Sequence, residues 1–162
     1  MREIGIGIIG YGFIGRVHAL SYQSVPWTYP GAPRPRLIAA CTASEASADR
    51  ALQEGDFKVA VCDYRTLLAR DDIQAVSVCT PNDSHRDILL AAIEAGKHVY
   101  CDKPLALNLE QAEEVAEAAR GSDKVCQMTF QYRFVPALRR ARQMIREGFL
   151  GRPFSFRAAY LH

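Results

Sequence analysis

The chain has 162 residues, of which 49% are hydrophobic, a length and composition typical of one globular domain with a sizeable core. Twenty lysines and arginines face 18 aspartates and glutamates, and a net charge of +2 gives no reason to expect nucleic acid or an anionic membrane as a partner. No apolar run reaches the roughly 20 residues of a membrane span, and a strand-like pattern starts too early for a signal peptide, so we expect a cytoplasmic protein.

Apolar runs of strand length alternate with segments of helical periodicity from residue 3 to about residue 130. This order predicts a Rossmann-type α/β fold, a doubly wound parallel sheet with helices on both faces. Most of the runs are continuously apolar, as expected of strands that are buried on both sides. The predicted strands are Glu3 to Ile9, Leu37 to Thr42, a short one near Phe57 to Val61, Ala75 to Thr80, His98 to Cys101 and Val125 to Phe130.

The helical segments are less uniform. A first helix is predicted from Phe13 to Ser24, and the next twelve residues, 25–36, hold half of the chain's eight prolines. Because proline disrupts a helix interior, we predict an inserted surface loop there. Asn108 followed by Gln111 resembles a capping box at the start of a later helix, and an apolar stripe predicts a surface helix over residues 135–147.

The first predicted strand runs directly into the loop GYGFIG, residues 10–15. Such a glycine loop between a strand and a helix is typical of a dinucleotide phosphate site. In this pattern Gly10 allows a tight turn, Gly12 leaves space for a pyrophosphate, and Gly15 lets the helix pack closely on the strand. The amino end of the helix adds partial positive charge. The cofactor-binding residues predicted here are Gly10, Gly12, Phe13, Ile14 and Gly15.

The end of the second predicted strand bears on the choice between NAD and NADP. NAD-preferring sites usually have an acid there, whereas this chain has Thr42 and Ser44, whose hydroxyls are able to hydrogen-bond a phosphate. Glu45 follows, and no arginine is adjacent in the sequence. We expect NADP to be accepted at least as well as NAD.

Two more loops follow predicted strands. The first is TPNDSH, residues 80–85, and the second is DKP, residues 102–104. Open α/β sheets bind ligands at the carboxyl ends of their strands, and a lysine there is able to stabilise developing alkoxide charge during hydride transfer. From the residues alone, Lys103 is equally well explained as an exposed cation at a strand end, and His85 is better explained as a structural histidine.

These motifs, in their order, strongly resemble the glucose-fructose oxidoreductase, inositol dehydrogenase and MocA family. The motifs are GYGFIG (10–15), CTPNDSH (79–85), AGKHVYCDKPLA (95–106), FQYRF (130–134) and REGFLGRPFSF (146–156). The resemblance implies that Lys103 is catalytic. It also implies that Thr80, Pro81, Asn82, His85, Asp102, Lys103 and Gln131 lie near the nicotinamide end of the cofactor. Asp102 stands where the family usually has Glu, and Thr42 stands where a ribose-binding acid is common.

The function implied is hydride transfer between nicotinamide and a hydroxyl of a sugar, anhydrosugar or cyclitol. The alternative is a non-catalytic domain that senses NAD(P) and regulates a partner. Tyr132 and Arg133 either face the substrate or anchor the next helix. A Lys103→Ala change distinguishes the two functions, because an enzyme loses turnover and keeps its cofactor affinity.

The resemblance also predicts the domain organisation. Residues 1–130 form the NAD(P)-binding domain, and residues 131–162 form a connecting helix and the first strand of a truncated substrate domain. That strand is suggested by the alternation of Phe154, Phe156, Ala158 and Tyr160. We expect this chain to bind cofactor without efficient turnover, and to form a homo-oligomer where the second domain is present. His162 does not match the family's catalytic histidine.

The cysteines give no sign of a disulfide framework or of a zinc site. They are five in number and form no Cys-x-x-Cys pair. We expect small hydrophobic residues at strand ends and no metal. They are Cys41, Cys62, Cys79, Cys101 and Cys126.

Overall fold

Six parallel strands form one sheet in the computed structural model, which describes residues 2–159 and Leu161. The strands are β1 (Glu3–Ile9), β2 (Arg34–Cys41), β3 (Val59–Val61), β4 (Ala75–Val78), β5 (His98–Cys101) and β6 (Cys126–Met128). The helices are α1 (Phe13–Thr28), α2 (Glu45–Glu54), α3 (Tyr64–Leu68), α4 (His85–Glu94), α5 (Leu109–Arg120) and α6 (Pro136–Arg146). Two 3-10 helices, Asn82–Ser84 and Gln131–Phe134, precede α4 and α6.

The strand order is β3-β2-β1-β4-β5-β6, and each adjacent pair is parallel. The order reverses between β1 and β4, the place where open α/β sheets hold their ligands. This arrangement confirms the predicted Rossmann-type fold. The bounds of β1 and β5 agree with the prediction, whereas β3, β4 and β6 are shorter than expected.

Apolar side chains cover both faces of the sheet. On β1, Ile6 and Ile8 belong to one buried cluster, together with Ala19 of α1 and Ala51 of α2. Ile9 belongs to the other cluster, which includes residues of α3, α4 and α5. Successive residues of a strand point to opposite faces, so a continuously apolar strand contributes to both clusters.

The predicted surface loop over residues 25–36 is wrong at both ends. Helix α1 continues to Thr28 with Pro26 in its last turn, where the Thr28 hydroxyl donates to the Ser24 carbonyl at 3.1 Å. Proline is less costly there, because few helical bonds remain to be lost. Strand β2 already begins at Arg34, and Pro35 pairs with Ile4 of β1. At that point β2 has β1 as its neighbour and is not yet paired with β3, so proline is tolerated as at a sheet edge.

The chain divides into two compact units, one up to Thr129 and one from Phe130 on. The second unit holds a 3-10 helix and α6, which begins at Pro136. The strand predicted after residue 153 is wrong for its described part, because residues 153–159 form no strand and no neighbouring strand pairs with them. Tyr160 and His162 lie outside the described residues. Within the described part of the chain, no helix is long and apolar enough to cross a membrane.

Candidate functional site

A groove of about 890 Å³ opens at the carboxyl ends of β1, β2 and β4, next to the reversal of strand order. Six of the predicted site residues line it: Gly10, Gly12, Phe13, Thr42, Thr80 and Pro81. The other lining residues are Ile9, Tyr11, Arg16, Cys41, Ala43, Ser47, Arg50, Tyr64, Cys79, Asp83, Ser84, Asp87 and Ile88. The fold therefore brings the glycine loop together with the loops after β2 and β4.

The glycine loop has the shape that close backbone packing requires. Gly10 has φ +90°, and a Cβ there would lie 2.7 Å from the backbone of Cys79. At Gly15 a Cβ would lie 2.0 Å from the Gly10 carbonyl oxygen. At Gly12, by contrast, no atom lies within 4 Å of the Cβ position, so this part of the groove is clear.

This clear surface lies at the amino end of α1, whose N-cap is Gly12 and whose first turn contains no acidic residue. Backbone N–H groups at a helix amino end, with no nearby carboxylate on the same turn, favour an anion. The groove therefore fits the pyrophosphate of a dinucleotide. Ile14 is half-buried and Gly15 buried, and neither is among the residues that line the groove.

At the β2 end of the groove, the two predicted hydroxyls already have partners. The Thr42 hydroxyl donates to the Ser44 carbonyl at 3.0 Å, and the Ser44 hydroxyl accepts from the Ser47 N–H at 3.4 Å as the cap of α2. Ser44 also lies outside the groove lining. The Ser44 side chain thus caps α2, and its contact with the cofactor stays a prediction.

Two arginines that the sequence argument missed line this same end. Ser47 and Arg50 lie one helical turn apart on α2, and Arg16 of α1 pairs with Glu54 of α2 at 3.2 Å. Positions 47, 50 and 54 share a helix face, so this face is directed to the start of α1. The i, i+3 spacing of Ser47 and Arg50 was the available signal in the sequence, although neither residue is adjacent to Thr42.

The loop after β4 contributes Thr80 and Pro81 to the groove, together with Asp83 and Ser84. The Ser84 hydroxyl lies 2.9 Å from the Thr80 hydroxyl and 2.8 Å from the Pro81 carbonyl oxygen. Asn82 is half-buried and outside the lining. The backbone of this loop is therefore fixed beside the groove.

His85 lies outside the groove lining, and its contact with the cofactor stays a prediction. Its side chain is 1% exposed. The ring nitrogens Nδ1 and Nε2 lie 2.8 Å from the Pro104 carbonyl oxygen and 2.9 Å from the Thr80 carbonyl oxygen. The buried ring therefore connects the loop after β4 with the segment after β5.

Asp102 and Lys103 follow β5, the neighbour of β4. The Asp102 N–H donates to the Val78 carbonyl at 2.8 Å, which continues the ladder between the two strands. Asp102 is half-buried and Lys103 exposed. The lysine ammonium is thus accessible to a molecule at the carboxyl edge of the sheet.

A buried polar cluster lies under this edge. His18 Nδ1 lies 3.3 Å from both the Ser77 hydroxyl and the Cys79 sulfur, and its ring packs on Tyr100. Burial lowers the pKa of His18, and the charge of Asp102 opposes that shift. Burial also raises the pKa of the Cys79 thiol well above its usual range. Both groups are therefore neutral near pH 7, and the cysteine is not an activated nucleophile.

Gln131 lies in the second unit, where it begins the 3-10 helix Gln131–Phe134. Its side chain is exposed. In the part of the chain that the structure describes, no group of three or more histidine, cysteine or acidic side chains is arranged to hold a metal ion.

Comparisons with known proteins agree with this geometry. A family model described as an oxidoreductase family with an NAD-binding Rossmann fold matches residues 4–130. Levoglucosan dehydrogenase of Pseudarthrobacter phenanthrenivorans is 38% identical over 164 residues, which cover 99% of this chain and 42% of that protein. 1,5-Anhydro-D-fructose reductase of Ensifer adhaerens is 42% identical over 123 residues, which cover 74% of this chain and 37% of that protein.

Solved structures are similar as well. A levoglucosan dehydrogenase in complex with NADH and L-sorbose matches with a TM-score of 0.91 and 35% identity. The match covers 94% of this chain and 41% of that one. The chain therefore spans about two fifths of the length of these relatives.

Proposed function

The chain belongs to the glucose-fructose oxidoreductase, inositol dehydrogenase and MocA family of NAD-binding Rossmann oxidoreductases, and on this premise we propose that its protein is a dehydrogenase acting on the CH–OH group of a sugar, anhydrosugar or cyclitol. The chain supplies the cofactor-binding half. Two of the relatives, levoglucosan dehydrogenase and 1,5-anhydro-D-fructose reductase, support this class of substrate.

The observation that carries the proposal is the exposed Lys103 at the carboxyl end of β5, on the edge of the sheet where the groove opens. A bound nicotinamide supplies a hydride acceptor. As the substrate carbon gives up hydride to that acceptor, the hydroxyl proton passes to bulk water, and the Lys103 ammonium donates a hydrogen bond to the oxygen and stabilises the negative charge that develops on it before the carbonyl forms. Lys103 is therefore the proposed catalytic residue.

The glycine loop and the loop after β4 hold the cofactor in this proposal. Gly10, Gly12 and Phe13 contact the pyrophosphate through their backbone, and Thr80 and Pro81 lie towards the nicotinamide. Asp102, half-buried beside Lys103, contacts the nicotinamide end. Gln131 supplies an amide contact to the nicotinamide, as the family resemblance implies.

Replacing Lys103 tests the catalytic assignment in the full-length protein. We expect Lys103→Ala to lower kcat by about 10²- to 10⁴-fold with levoglucosan or myo-inositol, because the alkoxide loses its partner. The Kd for NADH should change less than about twofold, since the lysine side chain is proposed to act on the substrate oxygen. Lys58→Ala, at an exposed position beyond the groove lining, is the matched control. Full turnover by Lys103→Ala would disprove the assignment.

We also propose that the groove accepts a 2′-phosphate, so that NADPH binds at least as well as NADH. Arg16 and Arg50 line its β2 end, while the carboxylates among the described lining residues, Asp83 and Asp87, lie on the β4 side. Within residues 2–159, the Arg50 guanidinium has no hydrogen bond or ion pair, whereas Arg16 is paired with Glu54. A guanidinium without a partner in reach of a groove suits a phosphate group.

An arginine replacement tests this cofactor preference in the 162-residue chain. Arg50→Ala should weaken NADPH binding about tenfold, the cost of one charged hydrogen bond, and leave NADH binding within about twofold. Arg34→Ala, at the opposite end of β2, is the control. Titration of both reduced cofactors by fluorescence, into the unaltered chain and the two variants, gives the six dissociation constants. Tighter binding of NADH than NADPH by the unaltered chain would contradict the proposal.

A further inference from the structure

The buried ring of His85 faces a carbonyl oxygen at each nitrogen. Nδ1 lies 2.8 Å from the Pro104 oxygen, and Nε2 lies 2.9 Å from the Thr80 oxygen. A carbonyl oxygen only accepts, so each contact requires an N–H on the ring. Neutral imidazole carries one N–H, and its second nitrogen would place a lone pair against an oxygen lone pair. Both contacts are satisfied by the doubly protonated ring.

The neighbouring thiol does not offer another solution. The Cys101 sulfur lies 3.5 Å from His85 Nδ1, but its S–H donates to the Asp102 carbonyl at 3.0 Å. Burial raises the pKa of Cys101 to about 12, so it is a neutral thiol that neither accepts strongly from the ring nor balances its charge. The Pro104 oxygen would still lie 2.8 Å from an unprotonated Nδ1.

The charged residues of the two segments that the ring joins are Asp83, Arg86 and Asp87 around the start of α4, and Asp102 and Lys103 after β5. Asp87 of α4 and Asp83 just before it are exposed, and Asp102 is half-buried. Among the described residues, no carboxylate lies within hydrogen-bond distance of the ring. Because His85 begins α4, the helix dipole opposes a cation there. The two carbonyls therefore have to supply the stabilisation, as charge-assisted hydrogen bonds.

We propose that His85 is a positioning residue whose doubly protonated ring holds the Thr80 backbone and the Pro104 backbone at a fixed separation. Thr80 lines the groove, and Pro104 directly follows Lys103. The role rests on the proposed function, since it sets the distance between the cofactor loop and the catalytic lysine. Loss of one proton breaks one of the two bonds and releases one loop from the other.

The protonation state is directly measurable in the unaltered chain. In a ¹⁵N-labelled sample near pH 7, long-range ¹H–¹⁵N spectra distinguish a nitrogen that carries hydrogen from one that does not, and the His85 ring is assigned through its backbone. We expect two protonated nitrogens. One protonated and one unprotonated nitrogen would overturn the proposal. This readout needs no turnover, so its outcome is independent of whether the protein is a dehydrogenase.

A pH profile tests the positioning role. Affinity for NADH should fall about tenfold as pH rises through the His85 titration seen by NMR, because one charge-assisted hydrogen bond is lost. His85→Gln, which cannot titrate, should remove that step. His98 lies at the amino end of β5, where its Nδ1 accepts from the Val125 N–H at 2.9 Å, and His98→Gln should keep the step in the pH profile. An unchanged profile in His85→Gln would refute the role, and if that variant does not fold, a step in the unaltered chain that fails to coincide with the NMR titration refutes it.

Discussion

Two glycines of the same loop have opposite surroundings. A Cβ at Gly15 would lie 2.0 Å from the Gly10 carbonyl oxygen, whereas a Cβ at Gly12 has no neighbour within 4 Å. Gly12 has φ −79°, a conformation that any residue adopts. Folding therefore requires glycine at position 15, and only a ligand in the groove would require it at position 12.

A pair of alanine substitutions separates these requirements. Gly12→Ala should change the free energy of unfolding by less than about 1 kcal/mol, because the methyl group meets open space. It should raise the Kd for NADH at least about tenfold, since the methyl group lies where the pyrophosphate approaches the backbone. Gly15→Ala should instead destabilise the fold by about 2 kcal/mol or more. Urea unfolding and NADH titration measure both effects, and strong NADH binding by Gly12→Ala would place the cofactor elsewhere.

Among single residues, the sequence correctly places those whose location follows from the loop they belong to. Gly10, Gly12 and Thr80 fall in loops that directly follow strands, so parallel topology alone brings them to one edge. Arg50 depends on the phase of α2, and His85 depends on a carbonyl 19 residues away. Such contacts are set by tertiary packing, which local sequence does not encode.

Helix α5 shows how much of an element's stability lies in its first residues. The Asn108 side chain accepts from the Gln111 N–H at 2.9 Å, and the Gln111 side chain accepts from the Leu107 N–H at 3.2 Å. This reciprocal arrangement is the predicted capping box, displaced by one residue at its second bond. Val115 of α5 is buried in the sheet's larger cluster, so a frayed helix loosens the core as well.

Removing this cap should have a measurable cost. We expect Asn108→Ala to lower the free energy of unfolding by about 1 kcal/mol, because the Gln111 N–H loses its side-chain acceptor. Asn108→Asp, which keeps an accepting oxygen, should be close to the unaltered chain. Urea unfolding followed by circular dichroism gives the comparison. An equal loss in both variants would show that the accepting oxygen is not the source of the stabilisation, and no loss in Asn108→Ala would show that the cap contributes nothing.

Element bounds are predicted well where sequence signals are local and poorly where pairing decides them. The capping residues locate α5, and continuous apolar runs locate β1 and β5. The start of β2 at Arg34 depends on pairing with β1, which overrides the polar and proline content of that segment. The alternating phenylalanines 154 and 156 are 98% and 91% exposed, because a strand pattern without a paired neighbour forms no strand.

Over the whole molecule, the sheet and both buried clusters are complete before residue 130. All six strands lie within residues 3–128, and the described residues from Phe130 on include none that is buried. The alternation of strands and helices predicts this architecture, because right-handed crossovers leave few ways to connect parallel strands. The assignment of residues 131–162 to a substrate domain stays a prediction.

A shortened chain tests whether the residues up to Thr129 fold without the rest of the chain. A chain ending at Thr129 should unfold with a free energy within about 1 kcal/mol of the 162-residue chain, because no buried apolar side chain is removed. Its Kd for NADH should rise about fivefold, owing to the lost amide contact proposed for Gln131. Gln131→Ala in the 162-residue chain is the matched control and should show the same rise. Loss of cooperative unfolding would show that the first unit needs the second.

The different exposure of the cysteines allows selective labelling of one of them, which gives a way to follow ligand binding. Burial raises the pKa of Cys41 to about 11 and that of Cys101 to about 12, and it also raises the pKa values of Cys79 and Cys126. Cys62 is exposed and follows Val61, whose carbonyl accepts from the Thr42 N–H at the rim of the groove. A maleimide dye should therefore react first at Cys62, which places a fluorescent reporter beside the β2 end of the groove without any mutation.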